Sequence, residues 1–262
     1  MSLALHNVDV ALDGATVLHA ITLKLGEGCT ALIGPNGAGK STLLRACAGD
    51  GGWLDGLVVQ GGITLDGAPL HQFSPATLAR RRAFLLQQQP ERLHLPVCEL
   101  LCLAAWPHGG SGQRGEALYR EALARWELEA LANRHYDSLS GGERQRVQLA
   151  RTWLQMRLHP HASERMWLLD EPQTALDLPH QRLLRQQLRA EADAGTTVLF
   201  STHDLNFALR TADRVIALGN GRVRADAMPA AFADPALLTT IFGVSFSCHT
   251  HPGDGRPWVM PD

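Results

Sequence analysis

Residues 34–42 read Gly34-Pro35-Asn36-Gly37-Ala38-Gly39-Lys40-Ser41-Thr42, directly after the short apolar run Thr30-Ala31-Leu32-Ile33. Gly34 to Ser41 fits G-x-x-x-x-G-K-[ST] between a predicted strand and a predicted helix. The glycines let the backbone wrap closely, so successive N–H groups turn inward on phosphate oxygens. The helix start adds partial positive charge at the same place. In such a cradle Lys40 reaches the β- and γ-phosphates of ATP, and the Ser41 hydroxyl ligates Mg²⁺.

Moving outward, the buried run that feeds the loop has equivalents at 83–86, 166–169, 197–200 and 215–218. Helical stretches separate most of these runs, which predicts an α/β fold with a mainly parallel sheet. The helix after the loop is expected over 41–48, stopped by Gly49 and the Gly51-Gly52 pair. Towards the N-terminus, Leu3, Leu5, Val8, Val10 and Leu12 alternate with polar or small residues. Their phase slips at His6-Asn7, as in a half-buried strand with a bulge. Further strands are expected at 17–25 and 63–65, the latter ending in an Asp66-Gly67 turn.

Residues 88–138 have a different texture. They are rich in Leu, Ala and Trp, with helical spacing at Ala117, Leu118, Leu123, Trp126 and Leu131, and read as an inserted helical lobe with a loop at 107–115. A long amphipathic helix is expected over 141–158. Residues 231–262, with several prolines and glycines, read as a looser tail.

Two acids end the apolar run Met166-Trp167-Leu168-Leu169, namely Asp170 and Glu171. Asp170 at a strand tip can hold the Mg²⁺ shell through water, and Glu171 beside it can polarise an attacking water. Gln87, after the run at 83–86, can ligate Mg²⁺ or that water. His203, after the run at 197–200, can hydrogen-bond a γ-phosphate and orient the water. Leu139-Ser140-Gly141-Gly142-Glu143 opens the long helix with Ser140 at the cap and Glu143 at capping-box distance. An ordinary helix start has the same form. The two glycines favour a second anion site, because glycine is costly unless the backbone must approach something closely.

In order, residues 34–42, Gln87, Leu139 to Glu143, Asp170-Glu171 and His203, with Ala175-Leu176-Asp177 after the acids, resemble the ATP-binding cassette ATPases over residues 3 to about 225. The resemblance implies a P-loop NTPase core, an N-terminal antiparallel β subdomain and an inserted α-helical subdomain. The ATPase domain would cover 1–230 and the tail 231–262. Ser140, Gly141 and Gly142 of one subunit would close on the γ-phosphate held by Lys40 of another in a homodimer, with Asp177 communicating across it. Two membrane-spanning permease subunits would be the direct partners and a periplasmic substrate-binding protein an indirect one. The protein would lie peripherally on the cytoplasmic face of the inner membrane.

Finer features resemble the ATPases of metal-chelate importers. They are Ser201-Thr202-His203-Asp204-Leu205-Asn206, Arg82-Ala83-Phe84-Leu85-Leu86-Gln87 and Trp106-Pro107-His108. The insert at 155–165, Asp177-Leu178-Pro179-His180-Gln181 and Gly253-Asp254-Gly255-Arg256-Pro257 are similar to the haem type. The Gln87-Gln88-Gln89 run is shared with the cobalamin type, which together with ferric siderophore importers is the alternative. One departure stands out: residues 1–40 contain no Phe, Tyr or Trp to stack on adenine, and Val10 occupies the matching position.

Bulk properties agree with these expectations. The 262 residues carry 24 Lys+Arg against 26 Asp+Glu, a formal charge of -2, so no basic excess points to nucleic acid. The five cysteines are scattered without a CxxC pair, as in a reduced cytosolic protein. The most apolar run, 100–106, falls far short of the roughly 20 residues that span a bilayer. Cys248, His249 and His251 lie close together but lack the rigid frame of a metal site. His159 and His161 are expected to face solvent, Trp126 and Trp153 to be core, and Arg80-Arg81-Arg82 to form a solvated helix end.

Overall fold

Short apolar runs become the parallel strands of one sheet, and the alternating N-terminal run becomes part of another. The computed structural model describes residues 1–49, 56–87, 93–110, 112–251, 253 and 255–262; the Gly51-Gly52 helix stop, Gln88, Gln89 and Asp254 lie outside them.

Strands β1 (Leu3–Leu12) and β2 (Ala15–Leu25) form a hairpin. Strand β3 (Gly28–Ile33) then runs into the glycine loop and helix α1 (Lys40–Ala48). Strands β4 (Leu57–Leu65) and β5 (Ala68–Pro69) complete an antiparallel sheet ordered β2-β1-β4-β5. The bulge expected at His6-Asn7 is present. The β1–β2 register shifts between Leu5 and Val8, and Asn7 has φ 49.

Helix α2 (Pro75–Arg81) leads into β6 (Arg82–Leu85). The helical lobe follows, with α3 (Val97–Cys102), a 3₁₀ turn at Leu103–His108 and α4 (Gly112–Arg125). Helix α5 (Gly141–Leu158) carries the chain back to β7 (Met166–Leu169). Then come α6 (Leu178–Asp193), β8 (Thr197–Ser201), α7 (Leu205–Thr211), β9 (Arg214–Gly219) and β10 (Arg222–Ala227). The core sheet is ordered β10-β9-β3-β8-β7-β6, parallel except for the β10 edge.

Both faces of the core sheet are covered, as its continuous apolar strands require. Alternate residues go to opposite sides. Leu32, Leu168, Leu199 and Ile216 pack on α1 and the antiparallel sheet. Ala31, Trp167, Phe200 and Val215 face the other helices. Trp126, Trp153 and Trp167 are buried there as expected, with Trp126 and Trp167 edge to face. The guanidinium groups of Arg125 and Arg157 lie 4.9 and 5.4 Å from the centre of the Trp153 indole, which donates to Glu191 Oε1 at 2.8 Å.

Several local expectations fail for identifiable reasons. The C-terminal residues are folded: α8 (Pro235–Phe242) and the hairpin β11 (Phe246–Thr250) with β12 (Pro257–Pro261) pack on α7 and β9. Their prolines and glycine are punctuation: Pro235 starts α8, Gly243 caps it and Pro257 starts β12. The Asn206 side chain exchanges two hydrogen bonds of 2.9 Å with the Val259 backbone, fixing this hairpin to α7. Arg81 is not at a solvated end, because it pairs with Asp66, and Arg82 opens β6. His159 is half-buried beside Glu164 and the His161 carbonyl, and burial lowers its pKa. In β11, Cys248 and His249 are strand neighbours with side chains on opposite faces. Among the described residues no group of three His, Cys, Asp or Glu could hold a metal.

Candidate functional site

The register of the core sheet brings four strand tips to one edge. Leu32 pairs with Ser201, Leu169 with Phe200 and Leu85 with Leu169. The segments beyond them are therefore neighbours: residues 34–42 after β3, Gln87 after β6, Asp170-Glu171 after β7 and Thr202-His203 after β8. Ligands of open α/β sheets bind in such a crevice beyond the carboxyl ends of the strands.

The glycine loop is tightly enclosed. A Cβ at Gly34, where φ is +148, would lie 2.3 Å from the Leu218 carbonyl oxygen, so no other residue fits without movement. A Cβ at Gly39 would lie 2.4 Å from Leu18 Cδ2 and 3.5 Å from Val17 Cγ1, so the start of β2 rests against the loop. Gly39 caps α1 without a side chain to occupy the first-turn amides. Pro35, Asn36, Gly37 and Ala38 form the turn between them; Ser41 is half-buried and Thr42 buried in the first turn of α1. Lys40 is 7 % exposed, and its Nζ donates to Gly34 O at 2.8 Å and Pro35 O at 3.1 Å. Burial lowers its pKa, against the opposing pull of Glu171 and Asp170.

The acids face this lysine. Asp170 is buried and its Oδ1 accepts from Ser201 Oγ at 2.5 Å. Glu171 sits at φ 46 with its N–H donating to the same Ser201 Oγ at 2.8 Å. Its Oε2 lies 3.5 Å from His203 Nδ1, with the imidazole mostly exposed and the carboxylate mostly covered. Thr202 Oγ1 accepts from the Gln173 amide and from Asp204 N. Ser201 and Thr202 enter the sequence reading only as part of the run that carries the resemblance, without a role of their own, and Gln173 is not singled out there. Two hydroxyls at the tip of a buried strand, just before His203, were the signal available. Gln87 lies exposed just beyond β6.

The donors assigned to Mg²⁺, a hydroxyl at Ser41, an amide oxygen at Gln87 and a carboxylate at Asp170, are all hard oxygens. A single carboxylate with water and substrate phosphates suits this ion. Asp170 is held ready, with one carboxylate oxygen tied to Ser201.

The second glycine-rich stretch is elsewhere in the chain's bonding. Ser140 caps α5 in a full capping box, with Glu143 N donating to Ser140 Oγ at 3.3 Å and Ser140 N to Glu143 Oε2 at 2.7 Å. The backbone bond from Ser140 lowers the Glu143 pKa. A Cβ at Gly142 would lie 2.9 Å from Ala175 O, while one at Gly141 would meet only ordinary contacts. Gly142 thus closely approaches the chain's own loop after Glu171, whereas Gly141 does not. Among the described residues, no hydrogen bond links residues 139–143 to residues 34–42. Asp177 caps α6, accepting from His180 N at 3.1 Å, and these bonds hold its carboxyl below the usual range. Val10 is fully buried between Leu18 and Val59, so it cannot present a face to a base.

The sequence profile of the family described as "ABC transporter" matches residues 18–174. The Hemin import ATP-binding protein HmuV of Rhodopseudomonas palustris is 38% identical over 254 residues, covering 96% of this chain and 91% of that protein. HmuV of Pseudomonas entomophila is 40% identical over 245 residues, 93% of each. A solved "Structure of ATP binding subunit of ABC transporter" superposes with TM-score 0.76 at 27% identity, covering 94% of this chain and 96% of that one. With its P-loop NTPase fold, its antiparallel N-terminal sheet and its helical lobe, the chain belongs to the ABC transporter family.

Proposed function

We propose that this chain is the ATP-hydrolysing subunit of a hemin importer, acting as a head-to-tail homodimer on two membrane-spanning permease subunits. The observation that carries the ATPase half is the convergence of the β3, β6, β7 and β8 tips, which collects Lys40, Gln87, Asp170, Glu171 and His203 at one edge. The hemin half rests on the similarity to the HmuV proteins over nearly the whole chain.

In this function the loop amides of 34–42 bind the phosphates, and Lys40 exchanges its two loop carbonyls for β- and γ-phosphate oxygens. Ser41, Asp170 and Gln87 would hold Mg²⁺, which would supply charge neutralisation at the phosphates. Glu171 takes a proton from the attacking water as the bond to the γ-phosphorus forms and the bond to ADP breaks. His203, beside Glu171, orients the water and the γ-phosphate. Ser140, Gly141 and Gly142 of the partner subunit close the far side, and Asp177 carries the state of one site towards the other.

No helix among the described residues is long and apolar enough to cross a membrane. In the proposed function, attachment to the cytoplasmic face of the inner membrane runs through the permease, and the periplasmic binding protein acts only through it. The ATPase domain covers 1–230 with the lobe at 88–138, and 231–262 is an appended C-terminal piece. On the lobe, Trp106 is 82% exposed and Leu103 48%. They are three residues apart in a 3₁₀ turn and share a face, which is an apolar surface available to the permease.

Glu171→Gln tests the assignment. It should bind ATP with wild-type affinity, release phosphate at least about a hundredfold more slowly, and elute as a dimer with ATP. Full-rate hydrolysis by this variant would refute the role given to Glu171. With the permease in vesicles, hemin rather than cobalamin should be the chelate moved.

A further inference from the structure

We infer that Ser201 is a positioning residue for hydrolysis, holding Glu171 in the conformation from which it acts. The inference rests on Glu171 as the base proposed above. Ser201 ends β8 and is fully buried. Its hydroxyl has one proton, and the neighbours leave no choice about its direction. The Glu171 N–H can only donate, so Ser201 Oγ accepts from it at 2.8 Å, and its proton goes to Asp170 Oδ1 at 2.5 Å. One hydroxyl thus joins the backbone of Glu171 to the side chain of Asp170.

The bond matters because of where it falls. Glu171 occupies the left-handed region at φ 46, a conformation that non-glycine residues hold only when surroundings enforce it. A left-handed residue just after a parallel strand turns the side chain out of the strand direction. Here the turned carboxylate reaches His203. The following turn is closed by Thr174 N on Glu171 O at 3.1 Å, which fixes the carbonyl side of the residue. The amide side is fixed by Ser201.

The adjacent Thr202 does a separate task. Its hydroxyl oxygen accepts from Gln173 and Asp204 N, tying the loop after the acids to the loop of His203. The β8 tip therefore clamps Glu171 and His203 from two consecutive residues, and of these two it is Ser201 that hydrogen-bonds to both Glu171 and Asp170.

The test is a double-mutant cycle on steady-state phosphate release with Ser201→Ala, Glu171→Gln and the pair. Misplacement of a reacting group by about 1 Å can cost roughly a hundredfold. Ser201→Ala should accordingly lower kcat by roughly ten- to a hundredfold while the KM for ATP stays within about twofold. In the Glu171→Gln background the same change should cost much less, because the carboxylate it positions is gone and only the bond to Asp170 is lost. Ser201→Thr, which keeps the hydroxyl, should recover most of the rate. If Ser201→Ala does not fold, Ser201→Cys carries the same comparison, its thiol being a weak donor and acceptor. Wild-type kcat for Ser201→Ala beside an inactive Glu171→Gln would overturn this inference alone, as would an equal loss in both backgrounds. A fully active Glu171→Gln would remove the base assignment, and the inference with it.

Discussion

Replacing Ser140 by Asp separates the two roles that this residue can have. In the fold, Ser140 is the N-cap of an 18-residue helix, with its hydroxyl accepting from Glu143 N at 3.3 Å. Asp is as good an N-cap as Ser, so the cap survives, whereas Ala would lose about 1 kcal/mol. The added charge gains about 0.3–1 kcal/mol from the helix terminus. The Glu143 carboxylate, bonded to Ser140 N at 2.7 Å, repels it by a comparable amount. Ser140→Asp should therefore melt within about 2 °C of wild type, and Ser140→Ala about 2–4 °C lower.

Hydrolysis should respond in another order. If Ser140 closes on the partner's ATP, a carboxylate there meets the γ-phosphate. At about 4 Å and an effective dielectric constant near 20, one pair of unit charges costs roughly 4 kcal/mol. That corresponds to about a thousandfold in rate. The assay is phosphate release over a range of ATP concentrations, beside thermal unfolding and gel filtration of each variant with ATP in the Glu171→Gln background. Ser140→Asp should be stable, nearly inactive and monomeric. If it hydrolyses ATP at the wild-type rate, or if the losses of both variants merely follow their melting temperatures, Ser140 is a helix cap and nothing more.

The capping box also has a pH signature. The Glu143 pKa is lowered from 4.5, chiefly by the backbone bond from Ser140, so its contribution is complete above about pH 4.5 and lost as pH falls through the folded-state value. The melting-temperature gap between wild type and Glu143→Gln should be open at pH 7 and close below pH 4.5; a gap independent of pH would contradict this. With Val10 buried and no aromatic residue before position 41, base stacking worth roughly 1–3 kcal/mol in nucleic-acid systems is missing from the first strands. ATP and GTP should be hydrolysed with similar kcat/KM, and a strong preference for ATP would reveal a base contact elsewhere.

Much of the site was legible because its chemistry is local. Gly34 to Thr42, Asp170-Glu171 and His203 each follow a buried apolar run, and a parallel sheet sends the ends of such runs to one edge. The bulge at His6-Asn7 was visible as a phase slip. Strand β4 was seen only from Ile63 because Gly61-Gly62 breaks the apolar pattern. In the fold it begins at Leu57, with Gly61 lying against the β1 bulge. The structure of the C-terminal residues was hidden by prolines and glycine at helix and strand boundaries. Long-range partners such as Arg81 with Asp66, or Ser201 with Asp170, leave no mark in sequence spacing. Gly142 was recognised as needing close approach, but what it approaches, the Ala175 carbonyl, depends on tertiary packing.

That last contact bears on how two such molecules would behave as a pair. Gly142 leans on the Ala175 carbonyl, and the Gln145 amide donates to Pro172 O at 2.9 Å, so the start of α5 is bolted to the turn that carries the molecule's own Glu171. A tug on that helix from the neighbour's fuel would be passed, through this turn, to the tugged molecule's own burning point. In the proposed head-to-tail pair, two engines linked this way would be wired in series, and neither would fire without the other feeling it.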